Sequence, residues 1–368
     1  MQLNCLQVTN FRNYKAETLV LNPRCNVIYG QNAQGKTNLL EAIVYLSTGK
    51  SPRTRFDKEM IRFDESFAQI KGDVNTRDRD FVVHIELNHG KRRKMWVNDV
   101  PCKQAGELSA VFQTVYFCPE DLQLIRAGGS ERRRFLDQAL CQLRPRYASA
   151  LAEYNRLHDH KTRILRDSDE KPQLLELLPE FNSQMVHFGA IVIHYRAHFI
   201  DKLSHIAAVN HMECSGGTER LDLHYDTVST VENPLADVET IKKQLFHHME
   251  IHQTAERKVR LCLSGPHKDD LTVHINGQVA KKYSSQGQTR TAALSLKLAE
   301  RSLYQNTTGE FPLLLLDDVL SELDPQRQEF VLNRIQDGQV FITCCENHRL
   351  ETLLDGKVFH VDCGRVLG

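Results

Sequence analysis

No apolar run in the 368-residue chain approaches the roughly 20 residues needed to cross a bilayer, so no membrane-spanning helix is expected. The opening Met1-Gln2-Leu3-Asn4-Cys5 lacks the basic and apolar regions of a secretory leader, which predicts a cytoplasmic protein. The 10 cysteines are scattered without a C-x-x-C pair, which argues against a disulfide framework and reads as reduced thiols. Among the 17 histidines, neither His194 with His198 nor His247 with His248 has a thiolate or Glu beside it at metal spacing, so no zinc site is expected. Net charge is missing as well: 47 Lys and Arg balance 47 Asp and Glu, which excludes a uniformly basic nucleic-acid binder.

The balance hides a polarity. Residues 1–166 hold 27 Lys and Arg against 18 Asp and Glu, whereas residues 167–368 hold 20 against 29. Such a chain either presents a basic surface to a phosphate backbone or mixes its halves on folding, and both readings stay open here. With 41% apolar and 26% charged residues, the composition is that of one or two soluble domains.

The strongest signal present is Gly30-Gln31-Asn32-Ala33-Gln34-Gly35-Lys36-Thr37, with the spacing G-x-x-x-x-G-K-[ST] of a loop that wraps a polyphosphate. Asn26-Val27-Ile28-Tyr29 reads as a buried strand before it. Leu39, Leu40, Ile43, Val44 and Leu46 recur at helical spacing after it. Gly30 and Gly35 permit positive φ, so that successive amides turn inward, and the helix N-terminus adds partial positive charge. Lys36 would reach the β- and γ-phosphates, and the Thr37 hydroxyl would take Mg²⁺.

Along the chain, Leu3, Leu6, Val8 and Phe11 read as a strand. It leads into the turn Asn10-Phe11-Arg12-Asn13-Tyr14, where Arg12 either meets nucleotide or lies on the surface beside a packed Phe11. Lys50-Ser51-Pro52-Arg53-Thr54-Arg55 is a basic loop. Strands at 81–87 and 94–97, joined through Asn88-His89-Gly90, put Lys91, Arg92, Arg93 and Lys94 at a hairpin tip, either a phosphate contact or a solvated turn.

From Ser130, read as an N-cap, to about Arg260 the texture is helical, with Pro172, Pro179 and Gly216-Gly217 as breaks and one short strand around Leu221, Leu223 and Tyr225. The last third returns to α/β. Leu271, Val273 and Ile275 alternate up to the hairpin signal Asn276-Gly277, and Val340-Phe341-Ile342-Thr343 reads as a strand. Asp324 caps a helix beginning at Pro325 that Gly338 can end.

Leu313-Leu314-Leu315-Leu316-Asp317-Asp318 is a buried strand ending in two carboxylates, the complement a phosphate loop needs. Asp317 would hold the Mg²⁺ shell and Asp318 polarise the attacking water, with Lys36 as its catalytic partner. These motifs lie 281 positions apart, so the nucleotide-binding core is split by a large insertion. The expected division is 1–130 with 261–368 as the ATPase domain and 131–260 as a mainly helical insert. Between the halves of the site, Ser285-Gln286-Gly287-Gln288 opens a helix with a hydroxyl and free amides.

Ser285-Gln286-Gly287-Gln288 resembles the signature motif of ABC-type ATPases, and Ser321-Glu322-Leu323-Asp324 resembles their D-loop. The order of phosphate loop, insert, signature and Asp-Asp strand is similar to that of SMC-like heads. The runs 30–42, Gly265-Pro266-His267-Lys268-Asp269-Asp270 and 315–324 resemble the RecF family of bacterial recombination mediators, and the likeness spans essentially the whole chain. Gln31, Lys268, Thr289 and Cys344-Cys345 depart from that family's usual Glu, Arg, Gln and hydroxyl residues. The cysteines leave the γ-phosphate sensor after Thr343 unassigned.

The resemblance implies an α/β fold, an ABC-type, SMC-like P-loop ATPase head with a mainly helical inserted second domain. It implies ATP held by residues 30–37, Arg12, and Ser285, Gly287 and Gln288 of a partner, with Mg²⁺ on Thr37 and Asp317. It further implies a weak, DNA-stimulated ATPase that dimerises on ATP, binds single-stranded and gapped duplex DNA, works with RecO and RecR to load recombinase, and supports the SOS response. Three rivals remain: an ABC transporter's nucleotide-binding subunit, which usually places the two nucleotide motifs closer together; a P-loop kinase, in which 285–288 would have no role; and a structural dimer that does not hydrolyse nucleotide.

Overall fold

The structure is a computed structural model that describes residues 1–345 and 356–367. The chain divides into two compact units, Met1–Gln123 with Ala293–Gly368, and Leu124–Ala292.

In the first unit, a six-stranded sheet runs in the order Arg365–Leu367, Lys357–Asp362, Cys25–Tyr29, Val340–Cys344, Leu313–Asp317 and Thr114–Phe117. Of its five pairings, four are parallel and the one to the edge strand Arg365–Leu367 is antiparallel. Apolar runs such as Leu313-Leu314-Leu315-Leu316 suit such strands because both faces are covered. A second, antiparallel sheet orders Tyr14–Val20, Gln2–Phe11, Phe67–Asn75, Asp80–Asn88, Lys94–Val97 and Val100–Pro101. The helix Lys36–Thr48 follows the phosphate loop. Its Leu39, Leu40, Ile43 and Leu46 share one core with Leu6 and Ile70 of the antiparallel sheet and Leu313 and Phe341 of the parallel one.

The parallel register decides where the chemistry sits. Thr343 pairs with Asp317 on one side and Ile28 on the other, so the loops leaving these strands at Gly30, Asp318 and Cys345 gather at one end of the sheet. That is the carboxyl edge where open α/β sheets place their ligands.

The second unit is mainly helical, with Gly129–Leu143, Pro145–Asp167, Leu178–Cys214 and Val238–Val259. Pro179, read above as a break, sits in the first turn of Leu178–Cys214, where its missing N–H costs nothing. Gly216 and Gly217 do end that helix, at φ 65° and 81°. Ser130 is not an N-cap. The helix starts at Gly129, two residues earlier than that cap would set, with Gly128 in the cap position and no capping side chain.

The observed division differs from the expected one by assigning 124–130 and 261–292 to the helical unit. The cause is strand pairing: Asp270–Ile275 joins Leu221–Asp226 antiparallel along its whole length, forming a three-stranded sheet with Gln278–Val279. Asn276 and Gly277 make the turn between the last two strands at φ 50° and 77°. The second boundary falls inside the helix Gln286–Thr308. Asp324 caps Pro325–Arg334 by accepting from Arg327 N at 3.1 Å. That helix stops four residues before Gly338, whose φ of 74° serves the following turn instead.

Candidate nucleotide site

The loop 30–35 has a backbone that only glycine allows at its two ends. Gly30 has φ 154°, and a Cβ there would fall 2.2 Å from Val361 O; Gly35 has φ 122°, and a Cβ would meet the Asn13 amide and Tyr14 hydroxyl within 2.9 Å. The loop is also tied down from outside. Asn13 Nδ2 donates to Gln34 O at 2.7 Å, the Tyr14 hydroxyl to Gly35 O at 3.0 Å, and Gly364 N to Gln34 O at 3.1 Å. Asn32 accepts from Cys345 Sγ, and Ala33 stands at φ 65°.

Lys36 is buried beneath this loop, its Nζ donating to Gly30 O at 2.6 Å and Gln31 O at 3.3 Å. Among the described residues no carboxylate pairs with it within 4 Å, so the charge is left for an anionic ligand.

Thr37 and Asp317, far apart in sequence, are in direct contact: Thr37 Oγ1 donates to Asp317 Oδ1 at 2.9 Å. Two further hydroxyls, both unassigned from sequence, fix the same carboxylate. Thr343 Oγ1 donates to Oδ1 at 2.8 Å and the Tyr116 hydroxyl to Oδ2 at 2.7 Å. Burial and the adjacent Asp317 charge push the Tyr116 phenol far above its ordinary range, so it stays a donor. Thr343 lies on the strand to one side of Asp317 and Tyr116 on the strand to the other, so the two hydroxyls reach the carboxylate from both flanks.

Asp318 has φ 52°, its N–H donating to Thr343 Oγ1 at 2.8 Å. Its Oδ1 is buried and has no hydrogen-bond partner among the described residues. Desolvation raises its pKa, the Lys36 charge lowers it, and Asp317 raises it again.

This arrangement fits a magnesium nucleotide. A buried ammonium without a carboxylate, a hydroxyl and carboxylate side by side, and an orphaned carboxylate oxygen are the parts such a ligand completes. Bound there by Thr37 and Asp317, Mg²⁺ would neutralise charge on the phosphate oxygens.

Arg12 does not offer a free guanidinium to nucleotide. It grips the fully buried Glu41 through Nε at 2.8 Å and Nη2 at 2.6 Å, and donates through Nη1 to Glu59 O at 2.7 Å. Ser51 Oγ donates to the same carboxylate at 2.5 Å. The pair therefore fixes the turn whose next residues, Asn13 and Tyr14, hold the phosphate loop.

Ser285 to Gln288 lies in the second unit and forms a reciprocal cap at the start of Gln286–Thr308. Gln288 N donates to Ser285 Oγ at 3.2 Å, and Ser285 N to Gln288 Oε1 at 2.8 Å. Gln288 Nε2 also donates to Glu219 Oε1 at 2.8 Å; Ser285 is exposed and Gly287 half-buried. The γ-phosphate sensor sought after Thr343 falls partly in 346–355, outside the described residues.

Tyr116→Phe tests the part played by the phenol. Losing one positioning hydroxyl should raise the Mg²⁺ concentration for half-maximal nucleotide binding by roughly tenfold, while affinity measured in chelator stays unchanged. An unaltered Mg²⁺ requirement would show that Thr37 and Thr343 hold Asp317 without it.

A profile of the RecF/RecN/SMC N-terminal domain family matches residues 2–361. The chain is 40% identical over 370 residues to the DNA replication and repair protein RecF of Agathobacter rectalis, covering 100% of this chain and 99% of that one. It is 38% identical over 364 residues to the RecF of Alkaliphilus oremlandii, covering 98% of each. Among solved structures, the recombination mediator protein RecF of the RecFOR pathway, determined as RecF-ATP, superposes with a TM-score of 0.91 at 34% identity over 100% of this chain and 97% of that one. The Smc head of Pyrococcus furiosus shares the fold, with a TM-score of 0.57 at 15% identity over 100% and 96%.

Proposed function

The chain belongs to the RecF family within the RecF/RecN/SMC N-terminal domain group, and from that premise we propose that it is an ATP-switched DNA-binding protein of recombinational repair. It binds ATP with Mg²⁺, hydrolyses it slowly under stimulation by DNA, and dimerises in the ATP state. It acts at single-stranded and gapped duplex DNA with RecO and RecR to help load recombinase, and so supports the SOS response. The observation that carries the ATPase part is the meeting of Thr37, Asp317 and Thr343 beside a phosphate loop whose buried Lys36 has no carboxylate partner among the described residues.

In this reading residues 30–35 wrap the phosphates with their amides, and Lys36 meets the β- and γ-phosphates. Thr37 and Asp317 hold the metal, and Asp318 orients the attacking water through Oδ1, which has no partner among the described residues. Ser285, Gly287 and Gln288 cap the nucleotide of a second copy. Arg12 acts through the turn that holds the loop. That the similar solved structure is RecF-ATP of the RecFOR pathway supports the choice of nucleotide and partners.

Turnover with and without DNA tests the proposal. A rate that DNA does not change removes the switch while leaving the nucleotide site. For the water-orienting role, Asp318→Asn keeps the shape of the side chain but removes its charge, so ATP affinity should stay within a fewfold and turnover should fall by about 10²-fold or more. Unchanged turnover would assign water activation to another group.

A further inference from the structure

The loop after the phosphate-loop helix carries an aromatic ring held out into solvent between cations. Phe56 is 60% exposed, Arg55 and Lys58 beside it are exposed, and Lys58 Nζ lies 5.8 Å from the ring centroid. A fixed turn presents this ring. Ser51 Oγ accepts from Arg53 N and Thr54 N at 3.0 Å each, Thr54 Oγ1 accepts from Phe56 N at 3.2 Å, and Phe56 is the cap residue of the short helix Asp57–Met60.

The basic hairpin tip packs beside it. Arg93 donates through Nη1 to Asp57 Oδ2 at 3.0 Å, and Lys94 lies 3.8 Å from Glu86, so two of the four tip cations are already paired. The Arg93 contact joins the remaining two, Lys91 and Arg92, to the Phe56 loop, while Arg92 Nη2 reaches Lys103 O at 3.4 Å. Among the described residues, Lys50, Arg55, Lys58, Lys91, Arg92 and Lys103 are exposed and none pairs with a carboxylate within 4 Å.

We propose that this composite surface binds a single-stranded stretch of nucleic acid, the cations tracking its phosphates and Phe56 stacking on an unpaired base. The inference rests on the DNA-binding reading above and adds the residues that take the single strand. A ring among unpaired cations is the pairing that single strands select, since every base offers a π-face and every linkage a charge. A duplex hides its base faces in the stack and offers Phe56 nothing but charge neighbours. An apolar protein partner would need apolar surface around the ring, and here its neighbours are Arg55, Asp57 and Lys58.

Phe63 supplies an internal control. It is 93% exposed, yet its flanking cation Arg62 is already paired with Glu65 at 3.8 Å and Asp64 follows it, so no unpaired cation adjoins it in sequence. The test is fluorescence anisotropy of the full chain with oligo-dT and with a blunt duplex of equal length, across a salt series with ATP and Mg²⁺. Phe56→Ala should weaken oligo-dT binding by roughly 5- to 100-fold, leave duplex affinity unchanged and be rescued by Phe56→Trp, while Phe63→Ala changes neither. Replacing Lys50, Arg55, Lys91 and Arg92 together by Gln should weaken both ligands and flatten the salt dependence.

Oligo-dT affinity unaffected by Phe56→Ala overturns the stacking and gives the ring to a protein partner. An intact salt slope in the quadruple variant overturns the surface. Parent protein that binds neither DNA at low salt, with ATP binding intact, would instead bring down the DNA-binding reading itself.

Discussion

Lys36→Ala is expected to lose ATP affinity by on the order of 10²-fold, since truncating one member of a buried, hydrogen-bonded charge pair costs about 2–5 kcal/mol. The lysine is 4% exposed, and its ammonium is held by the carbonyls of Gly30 and Gln31, under the loop rather than in solvent. Those two oxygens keep the charge where a phosphate would arrive, without a carboxylate to cancel it. With alanine, the loop amides and the helix N-terminus remain, but they supply only partial charges.

The fold should survive the change, because the core of the helix rests on Leu39, Leu40, Ile43 and Leu46, which the substitution does not touch. Thermal unfolding without nucleotide checks that directly: a parent-like midpoint combined with lost binding assigns the effect to the site. Affinity within twofold of the parent by calorimetry would remove Lys36 from the nucleotide site and with it the phosphate-loop reading of 30–37.

Much of this site is legible in sequence because its two ends are contiguous motifs with local causes. Gly30 and Gly35 are dictated by backbone angle and by the close approach of Val361 O and Asn13, and a run of four leucines before Asp317 has the length and continuity of a buried parallel strand. Thr343 and Tyr116 are different. Each is a polar group in a mostly apolar strand, and only the parallel pairings on either side of Leu313–Asp317 bring the two hydroxyls to its carboxylate.

Arg12 was readable as a cation near the site but not as one already matched, since its partner Glu41 lies 29 positions away on a helix face that the pattern otherwise marks as core. The domain boundary escaped for a related reason. Alternation at Leu271, Val273 and Ile275 announces a strand whichever sheet it joins, and its pairing with 221–226 is long-range information. The four hairpin cations show the converse case: a charge run looks uniform in sequence, and the fold alone determines that Arg93 is matched to Asp57 while Lys91 is not.

Ser285→Arg is expected to separate nucleotide binding from assembly. The phosphate loop belongs to the unit Met1–Gln123 with Ala293–Gly368 and Ser285 to the unit Leu124–Ala292, and the hydrogen bonds that hold Lys36 and Asp317 run to Gly30, Gln31, Thr37, Tyr116 and Thr343 of the first unit, so the substitution removes none of them. Monomer affinity for ATP should therefore stay within a fewfold. Resemblance to ABC-type heads implies that Ser285, Gly287 and Gln288 donate to the γ-phosphate held by a second copy, making ATP part of a two-fold interface. Only ATP then distinguishes dimer from monomer, because ADP offers the partner's donors nothing differential to bind. Arginine at 285 intrudes by bulk and charge at the point of closest approach, so the ATP-dependent dimer and turnover should both disappear. Locally the change removes the acceptor for Gln288 N, the loss of an N-cap worth about 1 kcal/mol, and Ser285→Ala carries that same loss without the intrusion. Sedimentation velocity with ATP, ADP and no nucleotide reads the outcome: dimer with ATP alone in the parent, weakened in Ser285→Ala and absent in Ser285→Arg. Equal dimer populations under all three conditions would overturn capping in trans even with Lys36 essential.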